Sequence, residues 1–391
     1  MLTQQHWNQA AIGLVATVAG IAGIVSHAPV GAFLDATRWK RGIIIAGVTV
    51  LSVSALAVAA APVFPIVLAA QTAMGVAGGI FGPAVASITL GILGSRALAY
   101  PLGRNAAFDH AGNVFIAVLA GGVGWWFTQS AVFCLVPIFS VLAGFAVRTI
   151  PARAIDHARA RGLAEQMTEA EERPSGWLVL INWRPLLVFA MSTVLFHFAN
   201  APMLPLVGQK LALANHGTET PLMSACIIAQ LVMLPMALLV GAKAEAWGRK
   251  PIFLAAFMIL PIRGVLYTLS DERSWLIAVQ LLDGVGAGIF GALAPLVLAD
   301  LMRGSGRYNA AQGAIATAQG IGASLSNTAA GLIVVRAGYD IAFLSLAGVA
   351  LIAFVVFLLA MPETVEPATT EQRQRIGSSG LAGSLPRQVL R

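Results

Sequence analysis

An aspartate and an arginine stand where hydropathy would not place them. Asp283 lies about 12 Å into an apolar run and Arg263 about 9 Å into the preceding run, measured from the same end at about 1.5 Å per residue. An ionised carboxylate near the middle of a membrane helix costs about 2.5 to 3.5 kcal/mol, so Asp283 must be paired, protonated or facing water. Two readings follow: a permanent Asp283 to Arg263 bridge between neighbouring helices, or an Asp283 that lines a cavity and changes protonation during a working cycle. His197 and Asn200 are three apart and share a helix face. Pro202 and Pro205 follow, and their rings bend or break a helix and free carbonyls that can bind a solute or cation. Gln230 is an uncharged cavity candidate. Asp109, His110 and Asn113 cluster at the start of another run, where Asp109 can pair with Arg104 or Arg307 as gate structure.

The elements that position these groups follow from composition. Only 10% of the 391 residues are charged and 58% are hydrophobic, against about 25% charged in a soluble domain. The chain reads as an all-α, polytopic membrane bundle. Runs of about 20 apolar residues are long enough to cross the hydrocarbon as helices, and eleven occur: 9 to 33, 42 to 61, 64 to 93, 106 to 127, 131 to 148, 185 to 207, 221 to 240, 251 to 268, 275 to 300, 309 to 335 and 341 to 361. The two cysteines, Cys134 and Cys226, lie in apolar runs without metal-ligand spacing. Neither a phosphate-binding loop, a nucleotide fingerprint nor an HExxH helix occurs. No metal or cofactor is implied, and the chain does not read as an enzyme. The net charge of +7 has no basic soluble face on which nucleic acid would dock.

That charge is sorted by side. When the runs alternate across a membrane, twenty of the Lys and Arg residues fall on one side and three on the other, with Arg263 inside a run. Basic connectors stay cytoplasmic, so the C-terminal tail is placed in the cytoplasm and the protein in a bacterial inner membrane. The chain also repeats itself. GVAGGIFG at 75 to 82 returns as GVGAGIFG at 284 to 291, and Gly31 to Asp35 with Arg38 returns as Gly241 to Glu245 with Arg249 and Lys250, at an offset of 210. Two parallel halves are read: 1 to 148, then a cytoplasmic connector from 149 to 184 expected to form a surface helix and hinge, then 185 to 362, then a disordered tail from 363 to 391. Gly75, Gly79, Gly284 and Gly288 are spaced to let helix backbones touch, and side-chain-poor contacts of this kind suit rocking of the halves. The offset gives the run at 185 to 207 no partner in the first half, so a helix is expected upstream of Met1.

Gly241-Ala-Lys-Ala-Glu245-Ala-Trp-Gly248-Arg249-Lys250 resembles the loop signature of the major facilitator superfamily between the second and third helices of each half. The copy at Gly31 to Arg41 departs from it, with Arg38 where the second glycine belongs. Met361-Pro362-Glu363-Thr364 is similar to the endings of many members. The resemblance implies a monomeric secondary transporter surrounded by membrane lipids, moving a small-molecule substrate by alternating access. It implies coupling to a proton or another ion, with export over uptake. It also implies that Asp35 and Glu245, near the start of the next helix, latch the halves on the cytoplasmic side, with Glu245 the better placed. A non-transporting solute receptor of the same shape, or an inactive truncated transporter, is the alternative. Topology mapping checks the frame: the Lys243 to Lys250 loop and the tail around Arg373 must be labelled from the same side of the membrane.

Overall fold

Backbone amides and carbonyls in hydrocarbon find partners only within a helix or a closed barrel. The computed structural model describes residues 9–127, 131–163, 183–214 and 220–364, and its regular elements are helices. α1 (Gln9–Ala36), α2 (Lys40–Ala60), α3 (Phe64–Leu93), α4 (Ala99–Trp126) and α5 (Leu135–Thr149) come from the first half of the sequence. α6 (Arg184–Asn200), α7 (Met203–Ala214), α8 (Thr220–Trp247), α9 (Arg249–Leu266), α10 (Arg273–Leu301) and α11 (Tyr308–Ala360) come from the second. The outward faces are apolar and open, as lipid-facing surfaces must be: Val53 on α2 and Phe145 on α5 are 62% and 71% exposed.

Nine segments among the described residues are long and apolar enough to cross a membrane, against eleven runs in the sequence. The difference has two physical sources. α9 has 18 residues and carries Arg249, Lys250 and Arg263, whose charge offsets its apolar content. α11 runs for 53 residues because two runs join end to end, and the join is a single non-helical residue, Gly338, at φ 85° and ψ 174°. A straight helix of that length would reach about 80 Å, more than twice the hydrocarbon thickness. The left-handed backbone at Gly338, which a Cβ would oppose, divides it. Boundaries also shift. α4 begins at Ala99 rather than 106, since Tyr100 and Arg104 are tolerated where a helix leaves the hydrocarbon.

Pro202 lies in the turn between α6 and α7, where its missing amide leaves the ladder bond to Phe198 O unmade, and Pro205 sits in the first turn of α7, where no ladder amide is needed. The described part of the connector, 150–163, is not the surface helix expected. Pro151 leads into two short 3-10 turns, Ala152–Ala154 and Arg159–Arg161, which lie as a strap across the basic end of the bundle. The Asp156 amide donates to Gly91 O at 3.1 Å, Ser87 Oγ donates to Ala160 O at 2.8 Å, and the Gly304 amide reaches Gly162 O at 2.5 Å. The strap therefore touches both halves. The acidic stretch of the connector and the tail beyond 364 lie outside the described residues.

At the start of α9, Gly248 adopts φ 82° and turns the chain into the helix. The carboxylate that meets the helix's unpaired amides is not Glu245. Glu363 accepts from the Arg249 amide at 3.0 Å and the Lys250 amide at 3.1 Å, so the segment after α11 folds back to cap α9. Caps of this kind contribute about 0.5 to 2 kcal/mol, aided by the helix dipole. Glu363→Ala is expected to lower the thermal unfolding midpoint in detergent, with a cost of about 1 kcal/mol.

Candidate functional site

A cavity of 370 Å³ lies between the halves, walled by Gly82 and Pro83 of α3 and by residues of α6, α10 and α11. Its sides are mostly apolar: Phe196, Phe290, Ala294, Pro295 and Ile315. The polar groups in its lining are His197, Asn200, Gln312 and Gln319, none of them a formal charge. His197 and Asn200 both line it, as their spacing predicts. Phe196 stacks on Phe290 at 4.9 Å between centroids, and the His197 ring meets Phe290 edge to face at 5.0 Å. His197 Nε2 is buried without a hydrogen-bond partner.

Behind Asn200 the two charges meet. The Arg263 guanidinium donates through Nη1 to Asp283 Oδ1 and through Nη2 to Asn200 Oδ1 at 2.5 Å. Gln280 Nε2 donates to Asp283 Oδ2 at 2.8 Å, and Tyr267 OH donates to Gln280 Oε1 at 2.5 Å. α6, α9 and α10 are thus tied by one polar chain. Neither Arg263 nor Asp283 belongs to the cavity lining; Arg263 is 2% exposed. Arginine has only donors, so the Asn200 oxygen must face it. The Asn200 amide NH₂ is then the part left for the cavity.

At the basic end the halves close on each other through two seams. Along the first, α1 meets α11. Asp35 is 3% exposed and its carboxylate caps α11, accepting from the Asn309 amide at 3.1 Å, Asn309 Nδ2 at 2.7 Å and the Ala310 amide at 2.8 Å. Asn309 Nδ2 also reaches Ser87 Oγ and Ala160 O, both at 3.1 Å, so α1, α3, the strap and α11 converge there. A Cβ on Gly31 would stand 2.1 Å from Asn309 O, and one on Gly313 would stand 2.2 Å from His27 O. Along the second seam α4 meets α8: a Cβ on Gly103 would stand 2.6 Å from both Ala237 O and Gly241 Cα. Further in, His110 Nδ1 and Gln230 Oε1 bond across this seam at 2.7 Å.

These placements amend several expectations. The sequence reading puts the carboxylates of the loop signature beside the next helix and favours Glu245. The structure has Asp35 on the far half's α11, while Glu245 is exposed and has no hydrogen bond or ion pair among the described residues. Helix caps depend on which terminus lies in front of the carboxylate, and only Asp35 has one. Gly75 and Gly79 pack on α1, and Gly284 and Gly288 on α8, within each half and not between halves. Gln230 serves the seam and is not in the cavity lining. Asp109 is exposed and accepts from Asn113 Nδ2 at 3.4 Å. Arg249 is buried against Asp300, fixing the start of α9 to the end of α10. Arg38 lines a separate pocket on the flank of the first half. Asn309 and Gly313 escape a sequence reading because a polar residue and a glycine near a helix start are ordinary there; their partners across the seam lie 149 residues and more away.

Comparison with known proteins places this architecture. A sequence model of the Major Facilitator Superfamily matches residues 1–260 and again 186–388. The uncharacterized MFS-type transporters MT2531 and Rv2456c of Mycobacterium tuberculosis, strains CDC 1551 and H37Rv, are each 48% identical over 367 residues, covering 94% of this chain and 88% of theirs. Among solved structures, FucP in the outward conformation superposes with a TM-score of 0.70 at 12% identity, over 91% of each chain. The proton:xylose symporter XylE gives 0.69 at 14% identity, over 94% of this chain and 89% of its own. The human organic anion transporter MFSD10 gives 0.69 at 12% identity, over 87% and 82%. Likeness at this identity speaks for the fold, and the sequence matches carry the rest: the chain belongs to the major facilitator superfamily of membrane transporters.

Proposed function

We propose that the protein is a secondary active transporter that moves a small, uncharged, largely apolar solute through the cavity between its halves by alternating access. One observation carries this reading: a lined cavity between two halves that are shut against each other at one end by backbone seams. The residues around the cavity set the solute class. Phe196 and Phe290 offer flat apolar contact, and Asn200 presents a donor whose orientation Arg263 fixes. A carboxylate or ammonium would enter without a counter-charge in the lining, at the cost of burying it unpaired. The basic end is taken as cytoplasmic, which makes this state closed inside, the state that FucP's outward conformation also represents.

Coupling to a proton is the energy source that fits the site. His197 is the titratable side chain in the cavity wall, and its Nε2 has no protein partner to give up on taking a proton. Asp283 is less suited. Protonating it would leave Arg263 buried without its counter-ion, and breaking a buried pair in this way costs about 3 to 5 kcal/mol. The bridge therefore serves as the frame that aims Asn200. The export direction rests on the family resemblance.

Reconstitution tests the reading. Neutral aromatic solutes that raise the unfolding midpoint of the purified protein are to be loaded into proteoliposomes under an imposed pH gradient; gradient-driven flux is expected, reduced in Asn200→Ala and uncoupled from pH in His197→Ala. Binding without flux would instead mark a receptor. For the bridge, Asp283→Asn is expected to destabilise the protein by about 3 to 5 kcal/mol, with most of the loss recovered in Arg263→Met/Asp283→Leu. An Asp283→Asn protein with unchanged stability and lost pH dependence would make Asp283 the proton carrier.

A further inference from the structure

The two halves end their last helices alike, and then differ at one residue. α5 stops at Thr149, followed by Ile150 and Pro151; α11 stops at Ala360, followed by Met361 and Pro362. Ile150 and Met361 adopt the same extended backbone, φ −70° and ψ 117° against φ −85° and ψ 126°. The next residue is Ala152 in the first half and Glu363 in the second. Glu363 caps α9; its counterpart helix is α2, which begins at Lys40 with no side-chain cap. A carboxylate is thus missing at the one place where the duplicated half supplies it.

That place is a cavity of 680 Å³ between α2, α5 and the strap, and its walls are cationic. Arg38, Arg41, Arg148 and His157 line it together with Gly42 and Ala152, without a carboxylate among the lining residues. Arg41 donates to Ile150 O at 2.5 Å, which holds the strap to α2. Arg38 and Arg148 have no ion pair among the described residues. His157 Nδ1 is buried and unpartnered. Desolvation first, then Lys40 and Arg38, hold its imidazole below the ordinary value, with Asp156 opposing and Arg161 adding to the effect. Three arginines in the wall and no carboxylate among the lining residues give the cavity a positive potential. Such a potential, at an uncapped helix start, is what a phosphate oxygen satisfies.

The cavity is also placed for a lipid. Ile45 and Ala46 extend its wall along α2 toward the exposed apolar face, and Trp39 at its rim is 70% exposed, the position of an interfacial aromatic. We propose that the phosphate of an anionic phospholipid occupies this cavity, taking beside α2 the position that the Glu363 carboxylate holds beside α9.

Thermal unfolding of the full-length protein in detergent, stripped of phospholipid and titrated with phosphatidylglycerol, phosphatidylcholine or inorganic phosphate, tests this. Phosphatidylglycerol is expected to raise the midpoint saturably, and the other two to have no effect at the same concentration. Arg38→Gln/Arg148→Gln should raise the half-saturating concentration about 25-fold, roughly fivefold for each arginine, while Arg153→Gln, outside the cavity, should not. Ala152→Glu should raise the lipid-free midpoint and abolish the increment from phosphatidylglycerol. An equal response to phosphatidylcholine, or an undiminished response in both cavity variants, would overturn the site. A full response to inorganic phosphate alone would overturn the lipid. Should Ala152→Glu fail to fold, the arginine variants decide.

Discussion

A helix start carries unpaired amides that must find an acceptor, and in lipid there is little water to provide one. The arrangement of this molecule turns on how that demand is met at α11. Asp35 reaches across from α1 to do it, and the Asn309 side chain that it holds reaches on to α3 and the strap, so four elements meet at one cap. The aspartate is buried by the same contact that gives it partners, so the capped arrangement and the closed basic end are one state. Separating the halves would strip the cap from α11 and leave a carboxylate with its donors gone. Gly31 is required beside it, since a Cβ there would overlap Asn309 O.

The cavity depends on a second set of constraints, all within the later half. Pro202 ends α6 just past Asn200, which brings Met203 beside the Arg263 guanidinium at 3.2 Å. Arg263 joins Asp283 and Asn200, and the Tyr267 and Gln280 side chains complete the chain behind them. The charged pair that holds the wall is buried behind it, while the polar groups that line the cavity are neutral. A charged group in the wall itself would demand a partner from each solute; placed one layer back, it fixes geometry without setting that demand. At the end away from the seams, Lys210 performs a similar task, joining Asp271, Asp340 and the Tyr267 carbonyl around the break at Gly338.

Much of this was legible in the sequence because it is local or periodic. The apolar runs, the duplicated glycine stretches, the proline that ends α6 and the shared face of His197 and Asn200 are each consequences of helix geometry. The bridge between Arg263 and Asp283 was legible for an energetic reason, since two buried charges at like depth on adjoining antiparallel helices have few other partners. What the sequence could not show is which terminus faces which carboxylate. Asp35 and Glu245 occupy equivalent loops, yet only Asp35 finds a helix start, and Glu363 takes the part given to Glu245. Those pairings span more than a hundred residues, and no spacing rule reports them. The glycine stripes were legible as helix-packing faces, but periodicity reveals a smooth face and not the neighbour that lies on it.

The seams at the basic end are made of main chain against main chain, with Gly31, Gly103, Gly241 and Gly313 admitting the approach. The closed end is therefore held in good part by backbone shape, with the Asp35 and His110 side chains added to it, whereas the chamber behind it is lined by side chains. Across the seams those glycines pack on residues other than Phe196, Gln312 and Gln319, so the chamber's lining can change by substitution while the backbone fit at the closed end is kept.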